Sequence, residues 1–205
     1  MNDKQRAEIG FWDQLIARLG RDGFLAQRKQ DFFDNSSHYQ GQYMPVGDGL
    51  EVGSGLYSQL EWSSGTHVVA VDPLMDEYIK LIEKYGLVQA FVTLVPTFDE
   101  NLPFPDESFD WAVCWNVIDH TPNPQLLVDE IWRVMKPGSQ LYFEVHFDDH
   151  LGSPHYGLWR EDTIKQHFSS EKWSQTFINK FRNPDYPQEK YYAIFEKKGD
   201  DVKND

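Results

Sequence analysis

The sequence predicts an α/β fold: a mostly parallel seven-stranded sheet with helices on both faces, an N-terminal helical cap and a terminal antiparallel strand pair. Three observations predict it. Short apolar runs alternate with segments of helical period through the middle of the chain, the pattern of strands joined by crossovers. The run Phe109–Trp115 is almost continuously apolar, as a strand covered on both faces must be. The last two runs, Trp173–Phe181 and Tyr191–Lys198, instead alternate, as an antiparallel pair does.

The elements follow in order. Phe11, Trp12, Leu15, Ile16 and Leu19 fall at helical spacing within residues 3–34, with Gly20 and Gly23 as punctuation before a second segment, Phe24–Phe33. Asn35–His38 reads as a turn. Leu50–Gly53 and Val68–Asp72 read as strands, the second ending in a carboxylate. Leu74, Tyr78, Ile79, Ile82 and Tyr85 form one helix face that stops at Gly86. Ala90–Val95 is the third strand and Phe109–Trp115 the fourth. Asn123-Pro124 opens a helix lined by Leu127, Ile131 and Val134, and Pro137-Gly138 is expected to end it. Leu141–His146 is the fifth strand and Arg160–Phe168 a short helix. A single domain over 1–205 is expected, with a cap at 1–45, a core at 46–198 and a mobile tail at 199–205.

The 205 residues suffice for one sizeable core, and 40% hydrophobic with 15% aromatic content speaks for a folded globule. No apolar run approaches the roughly 20 residues of a membrane span, and Met1–Arg6 leads into a polar helix rather than an apolar leader. The single cysteine, Cys114, precludes an internal disulfide and sits in an apolar run as a small buried side chain. A reducing cytoplasm is the expected setting. A net charge of −14 repels nucleic acid, so the acidity reads as solubility.

Open α/β sheets bind ligands beyond the carboxyl ends of their strands. Four features map there. Gly53-Ser54-Gly55 follows the first strand, a turn that lacks Cβ atoms and can present backbone N–H groups. Asp72 ends the second strand; it can accept two ribose hydroxyls, or cap the helix that follows Pro73. Asp99-Glu100 lies beyond the third strand, and Asn116 follows the fourth.

Three further blocks carry a family resemblance: Leu102-Pro103-Phe104-Pro105-Asp106-Glu107-Ser108-Phe109-Asp110, Asn116-Val117-Ile118-Asp119-His120 and Arg133-Val134-Met135-Lys136-Pro137-Gly138-Ser139. With the glycine turn and Asp72, residues 47–147 resemble S-adenosylmethionine-dependent methyltransferases of the Rossmann-like seven-stranded class, most of all the ubiquinone and small-molecule subgroup. The resemblance implies that Glu51, Gly53, Ser54 and Gly55 hold the methionine part of the cofactor. It implies that Asp72 takes the ribose hydroxyls, with Pro73 beside the adenine. Asp99 and Glu100 fall where the adenine amine binds, and Asn116 and Val117 line the cofactor. His120 matches the histidine that often follows the fourth strand. Three positions depart from the pattern: Tyr57 stands where a third glycine is common, Asp99 is displaced by one with Phe98 in its place, and Asp119 replaces a Glu. Tyr57 is expected to tighten the cofactor pocket or weaken binding there.

The implied reaction is methyl transfer to a hydroxyl or amine of a small molecule, lipid or sugar. A hydroxyl acceptor needs a base, and His146-Phe147-Asp148-Asp149-His150 follows the fifth strand, with His155 beyond. His146 or His150, with an Asp partner, is the candidate; the alternative is that these histidines only bond their loop. Two His and two Asp lie close together, but their spacing suits no common zinc site, and no metal is expected. Tyr39, His120 and His155 are candidate acceptor contacts, though Tyr39, with Tyr43, Trp115 and Trp159, can equally be core. Two alternatives stand beside methyl transfer. Gly53–Ser58 is one residue short of a dinucleotide fingerprint, so a nicotinamide-dependent oxidoreductase is one. A non-catalytic cofactor-binding or partner protein is the other. No motif specifies the acceptor or the oligomeric state.

Overall fold

A computed structural model describes residues 3–43, 45–63, 67–97, 101–147, 158–182 and 188–199. Asp99, Glu100, His150, His155 and the tail from residue 200 lie outside the described residues. Within them, seven strands form one sheet: β1 (Asp48–Val52), β2 (His67–Asp72), β3 (Val92–Pro96), β4 (Phe109–Trp115), β5 (Met135–Phe147), β6 (Trp173–Arg182) and β7 (Glu189–Lys197). Their order is β3-β2-β1-β4-β5-β7-β6. The first five pair in parallel, and β7 runs antiparallel between β5 and β6. The expected α/β architecture and terminal antiparallel pair are therefore present.

Strand β1 has β2 on one side and β4 on the other. Winding reverses at that point, and the crevice at its carboxyl ends is where this architecture receives ligands. Around the sheet lie α1 (Asp3–Ser37), α2 (Met75–Tyr85), α3 (Pro124–Val134) and α4 (Glu161–His167). On one face, Leu127, Val128 and Ile131 of α3 and Ile164 of α4 pack on Leu50, Ala112, Leu141 and Phe143. On the other, Phe32 and the following Tyr39 pack on Val113, Trp115, Tyr142 and Tyr192.

The N-terminal cap is one 35-residue helix, kinked at Gly20, whose φ of 70° is easy only for glycine. It runs to Ser37, past the expected turn at Asn35. Ser36 and Ser37 donate back to the carbonyls of Phe32 (2.8 Å) and Asp34 (2.7 Å), which keeps them in the last turn. Among its described residues, the link from β1 to β2 carries a 3₁₀ turn at Gln59–Trp62 and no α-helix. A parallel crossover usually needs a helix to cover the sheet. Here α1 supplies the cover: Leu15, Ile16 and Phe24 pack with Leu56 and Tyr57 of the link and with Leu74, Met75 and Tyr78.

Two expected boundaries moved. Helix α2 ends as predicted, at Gly86 in the left-handed region (φ 62°). Helix α3 begins at Pro124 as predicted but ends at Val134, and Met135 already starts β5. Pro137-Gly138 therefore lies inside a strand and does not stop the helix. Pairing with β4 skips from Phe109↔Met135 to Trp111↔Gln140, so the two residues sit in a bulge. A bulge is where a strand tolerates a proline, which has no N–H to give the ladder. The Leu102–Phe104 run is bound to α3. Arg133 donates to the carbonyls of Leu102 (2.9 Å) and Phe104 (2.8 Å), and Glu130 accepts from Leu102 N (3.0 Å).

Candidate active site

The glycine turn and Asp72 are built into one unit. Gly53 and Ser54 N–H both donate to the Val71 carbonyl, at 2.9 and 3.2 Å. Gly55 N–H donates to Oδ2 of Asp72 at 3.0 Å, and Leu74 N–H to Oδ1 at 2.8 Å. The N-cap of α2 is Leu74, with no side-chain cap, so the helix-cap reading of Asp72 is not realised. Asp72 instead clamps the turn to the end of β2. The turn's three N–H groups are spent inside the protein, against the expectation that they face a ligand. What remains to it is close approach, carbonyl oxygens and the acceptor capacity of Asp72, whose carboxylate has lone pairs beyond these two bonds. Burial pushes the Asp72 carboxyl up to about 6. Gly53 has φ 68°, and a Cβ there would lie 2.3 Å from the Val117 side chain. That contact joins the turn to the residue after β4, across the switch point. Pro73 is exposed and Ser54 is buried.

Glu51 is buried on the face of β1 that α1 covers. It accepts from the Ser58 hydroxyl, which itself accepts from Leu60 N–H at 3.1 Å and so starts the 3₁₀ turn. Burial raises its carboxyl to about 7, against the opposing pull of Ser58 and Arg28. Arg28 comes from α1. Its Nη2 donates to the Tyr57 carbonyl at 2.9 Å, and its Nη1 pairs with Asp31 at 3.3 Å. Its Nε is buried with no hydrogen-bond partner among the described residues. Trp12, also from α1, lies under Arg28 at 5.5 Å, and its ring would sit 3.5 Å from a Cβ at Gly55. The cap therefore forms one wall of the crevice.

Tyr57 does not enter the crevice. Its ring stacks on Trp62 (5.6 Å) and meets Phe24 edge-on (6.2 Å), and its hydroxyl donates to the Val88 carbonyl at 3.0 Å. The residue expected to tighten the pocket is a core side chain that joins α1 to the loop before β3. Tyr39 is likewise fully buried. Its hydroxyl donates to the Phe143 carbonyl (3.0 Å) and accepts from Trp115 Nε1 (2.7 Å). It packs and does not reach an acceptor, because both its ring and its hydroxyl are enclosed.

Asn116 is exposed and left-handed, with φ 56°, a conformation Asn tolerates better than most residues. Its N–H donates to the Glu144 carbonyl at 3.0 Å, which sets the end of β4 against β5. His120 is partly exposed in the 3₁₀ turn Ile118–His120, its Nε2 3.8 Å from the buried Asp119. His146 lies near the end of β5, about one-fifth exposed, and its partner is Glu144, Nε2 to Oε1 at 3.1 Å. The expected Asp partners, Asp148 and Asp149, lie outside the described residues.

Two residues of the site escaped the sequence reading. Phe24, Arg28 and Phe32 are spaced by four, which puts Arg28 on the buried stripe of α1. Glu144 stands two before His146, on the same face of one strand. Both signals were present as periodicity.

The residues fit S-adenosylmethionine. Its ribose hydroxyls and ammonium are donors and suit Asp72 and the turn's carbonyls. Its carboxylate suits the orphaned Arg28 Nε.

Residues 50–143 match the family model described as a methyltransferase domain. A ubiquinone biosynthesis O-methyltransferase of Xylella fastidiosa is 30% identical over 92 residues, 44% of this chain and 37% of that one. A thiol S-methyltransferase of Rattus norvegicus is 26% identical over 177 residues, 80% of this chain and 72% of that one. The chain spans less than half the length of the first curated relatives it matches. Among solved structures, the 1,6-didemethyltoxoflavin-N1-methyltransferase of Burkholderia thailandensis superposes with a TM-score of 0.65 at 15% identity, covering 97% of this chain and 92% of that one. The N-methyltransferase NodS of Bradyrhizobium japonicum gives 0.61 at 17%, covering 88% and 90%. The chain thus has the Rossmann-like methyltransferase fold, with the family match over its switch-point strands.

Proposed function

We propose that this protein is an S-adenosylmethionine-dependent methyltransferase of a small molecule, lipid or sugar. The observation that carries the reading is the Asp72 clamp on the Gly53–Gly55 turn at the switch point, inside the segment that matches the methyltransferase domain. Asp72 accepts the ribose hydroxyls, Gly53 and Gly55 let the chain come close, and Val117 forms the opposite side. Arg28 Nε takes the methionine carboxylate. Asp99 and Glu100 keep the adenine role the resemblance implies. When bound, the cofactor supplies a methyl group on a positively charged sulfur, so the protein's work is to position the acceptor and exclude water. His146 faces the acceptor side as base, and His120, His150 and His155 are candidates for contacts there. The buried lone Cys114 suits a reducing compartment, and we place the protein in the cytoplasm.

The turn does not suit a dinucleotide. A pyrophosphate needs free N–H groups and a helix N-terminus. The N–H groups here are spent, and among the described residues the turn leads into a 3₁₀ turn rather than an α-helix.

Incubating the protein with methyl-labelled cofactor and a metabolite extract tests the proposal. Label should appear in a small-molecule product by mass spectrometry, and should fall at least tenfold with Asp72→Ala. Transfer undiminished in that variant would refute the role given to Asp72.

A further inference from the structure

Glu144 is an enclosed acidic group on β5, 1% exposed. It meets two cationic or protonatable groups: His146 Nε2 at 3.1 Å and Lys190 Nζ at 3.5 Å. Burial pushes its carboxyl up, but His146 and Lys190 outweigh that and hold it below its usual range. It is therefore a carboxylate at neutral pH. Register explains the cluster: Glu144 and His146 share one face of β5, and His146 sits opposite Lys190 of β7. From the cap, His38 and Asp34 face the same cluster. The Glu144 backbone also accepts from Asn116, so the cluster lies one strand from the switch point.

A carboxylate beside one imidazole nitrogen decides which nitrogen carries the proton. Nε2 is buried against Glu144, close enough for a hydrogen bond but not straightly aligned. Catalytic hydrogen bonds often align only when substrate is bound. We infer that Glu144 is a positioning residue that holds the proton of His146 on Nε2, leaving Nδ1 as the base for an acceptor hydroxyl. This rests on the methyltransferase reading and names its acceptor class: a nucleophile that must lose a proton. Nδ1 takes the hydroxyl proton while the oxygen's electron pair forms the bond to the methyl carbon. The carbon–sulfur pair departs with sulfur as a neutral thioether. The imidazolium then returns its proton to water. Lys190 balances the Glu144 charge and keeps that carboxylate ionised between turnovers.

The test needs no known acceptor for its first half. Nitrogen NMR of the full chain with labelled histidine, assigned with His146→Gln, reads the tautomer directly. Protonated Nε2 and bare Nδ1 are expected; a proton on Nδ1 overturns the inference. Glu144→Gln keeps the shape and removes the charge. Labelled methyl transfer to a panel of phenols should then fall about tenfold or more, with the half-saturating cofactor concentration unchanged. Imidazole should restore transfer in His146→Gly. Full transfer in Glu144→Gln, or no rescue by imidazole, would also overturn it. Binding of S-adenosylhomocysteine, measured by calorimetry, separates the two claims. Its absence sinks the methyltransferase reading, whereas a wrong tautomer with binding intact sinks only the dyad.

Discussion

Three buried carboxylates lie on the strands around the switch point, and each is held differently. Glu51 meets a hydroxyl and a guanidinium, Asp72 two backbone N–H groups, and Glu144 an imidazole and an ammonium. For Glu51, burial outweighs its partners and raises its carboxyl from 4.5 to about 7. The folded chain thus keeps a proton that the unfolded chain releases near 4.5. The associated stability is full below pH 4.5 and is lost as pH rises through 7, about 3 kcal/mol in all. Asp72, raised to about 6, acts in the same direction. Denaturant unfolding at pH 5 and pH 8 should show the wild type less stable at pH 8. Glu51→Gln should remove about 2.5 kcal/mol of that difference, and a variant with the wild-type pH dependence would show that Glu51 is ionised throughout. These carboxylates were legible to different degrees. The position of Asp72 at a strand end marked it as a ligand group, but its second task, clamping the turn, depends on Gly55 folding back seventeen residues away. No linear spacing shows that.

At the level of elements, the missing crossover helix between β1 and β2 transfers its work to α1. The sequence showed a helical cap but not what it covers, because packing partners of a helix far from the sheet in sequence leave no local signal. Tyr57 follows from this arrangement: it fills the seam between α1 and the short link. Tyr57→Gly should cost about 3–5 kcal/mol, the usual range for emptying a buried aromatic site. Its cofactor affinity should stay within about threefold of wild type; a tighter-binding variant would return Tyr57 to the pocket. Gly53 is constrained twice, by its φ and by Val117. Gly53→Ala should destabilise the fold by about 2 kcal/mol or more and weaken cofactor binding. Equal stability, read by thermal unfolding, would mean that the Val117 contact relaxes freely. Pro137-Gly138 carries the opposite lesson. A proline-glycine pair after a helical run resembles a stop, yet the same pair serves a bulge, and only pairing with β4 separates the two.

On the scale of the whole molecule, the order of the strands sets where a ligand can bind. Alternating apolar runs and glycine punctuation sufficed to predict the sheet, its seven strands and the terminal antiparallel pair, because burial on two faces imposes that pattern. The roles of Asp99 and Glu100 rest on resemblance, and those of His150 and His155 on their place in sequence after the fifth strand. Among the described residues, no helix is long and apolar enough to cross a membrane. Asp72 and Arg28 are the two groups proposed to meet the cofactor. The most direct measurement is calorimetric titration of the full chain with S-adenosylhomocysteine and with NADH, repeated on Asp72→Ala. Binding of the first ligand only is expected, weakened by about 1–3 kcal/mol in the variant. Binding of NADH without S-adenosylhomocysteine, or an affinity untouched by the loss of Asp72, would contradict it.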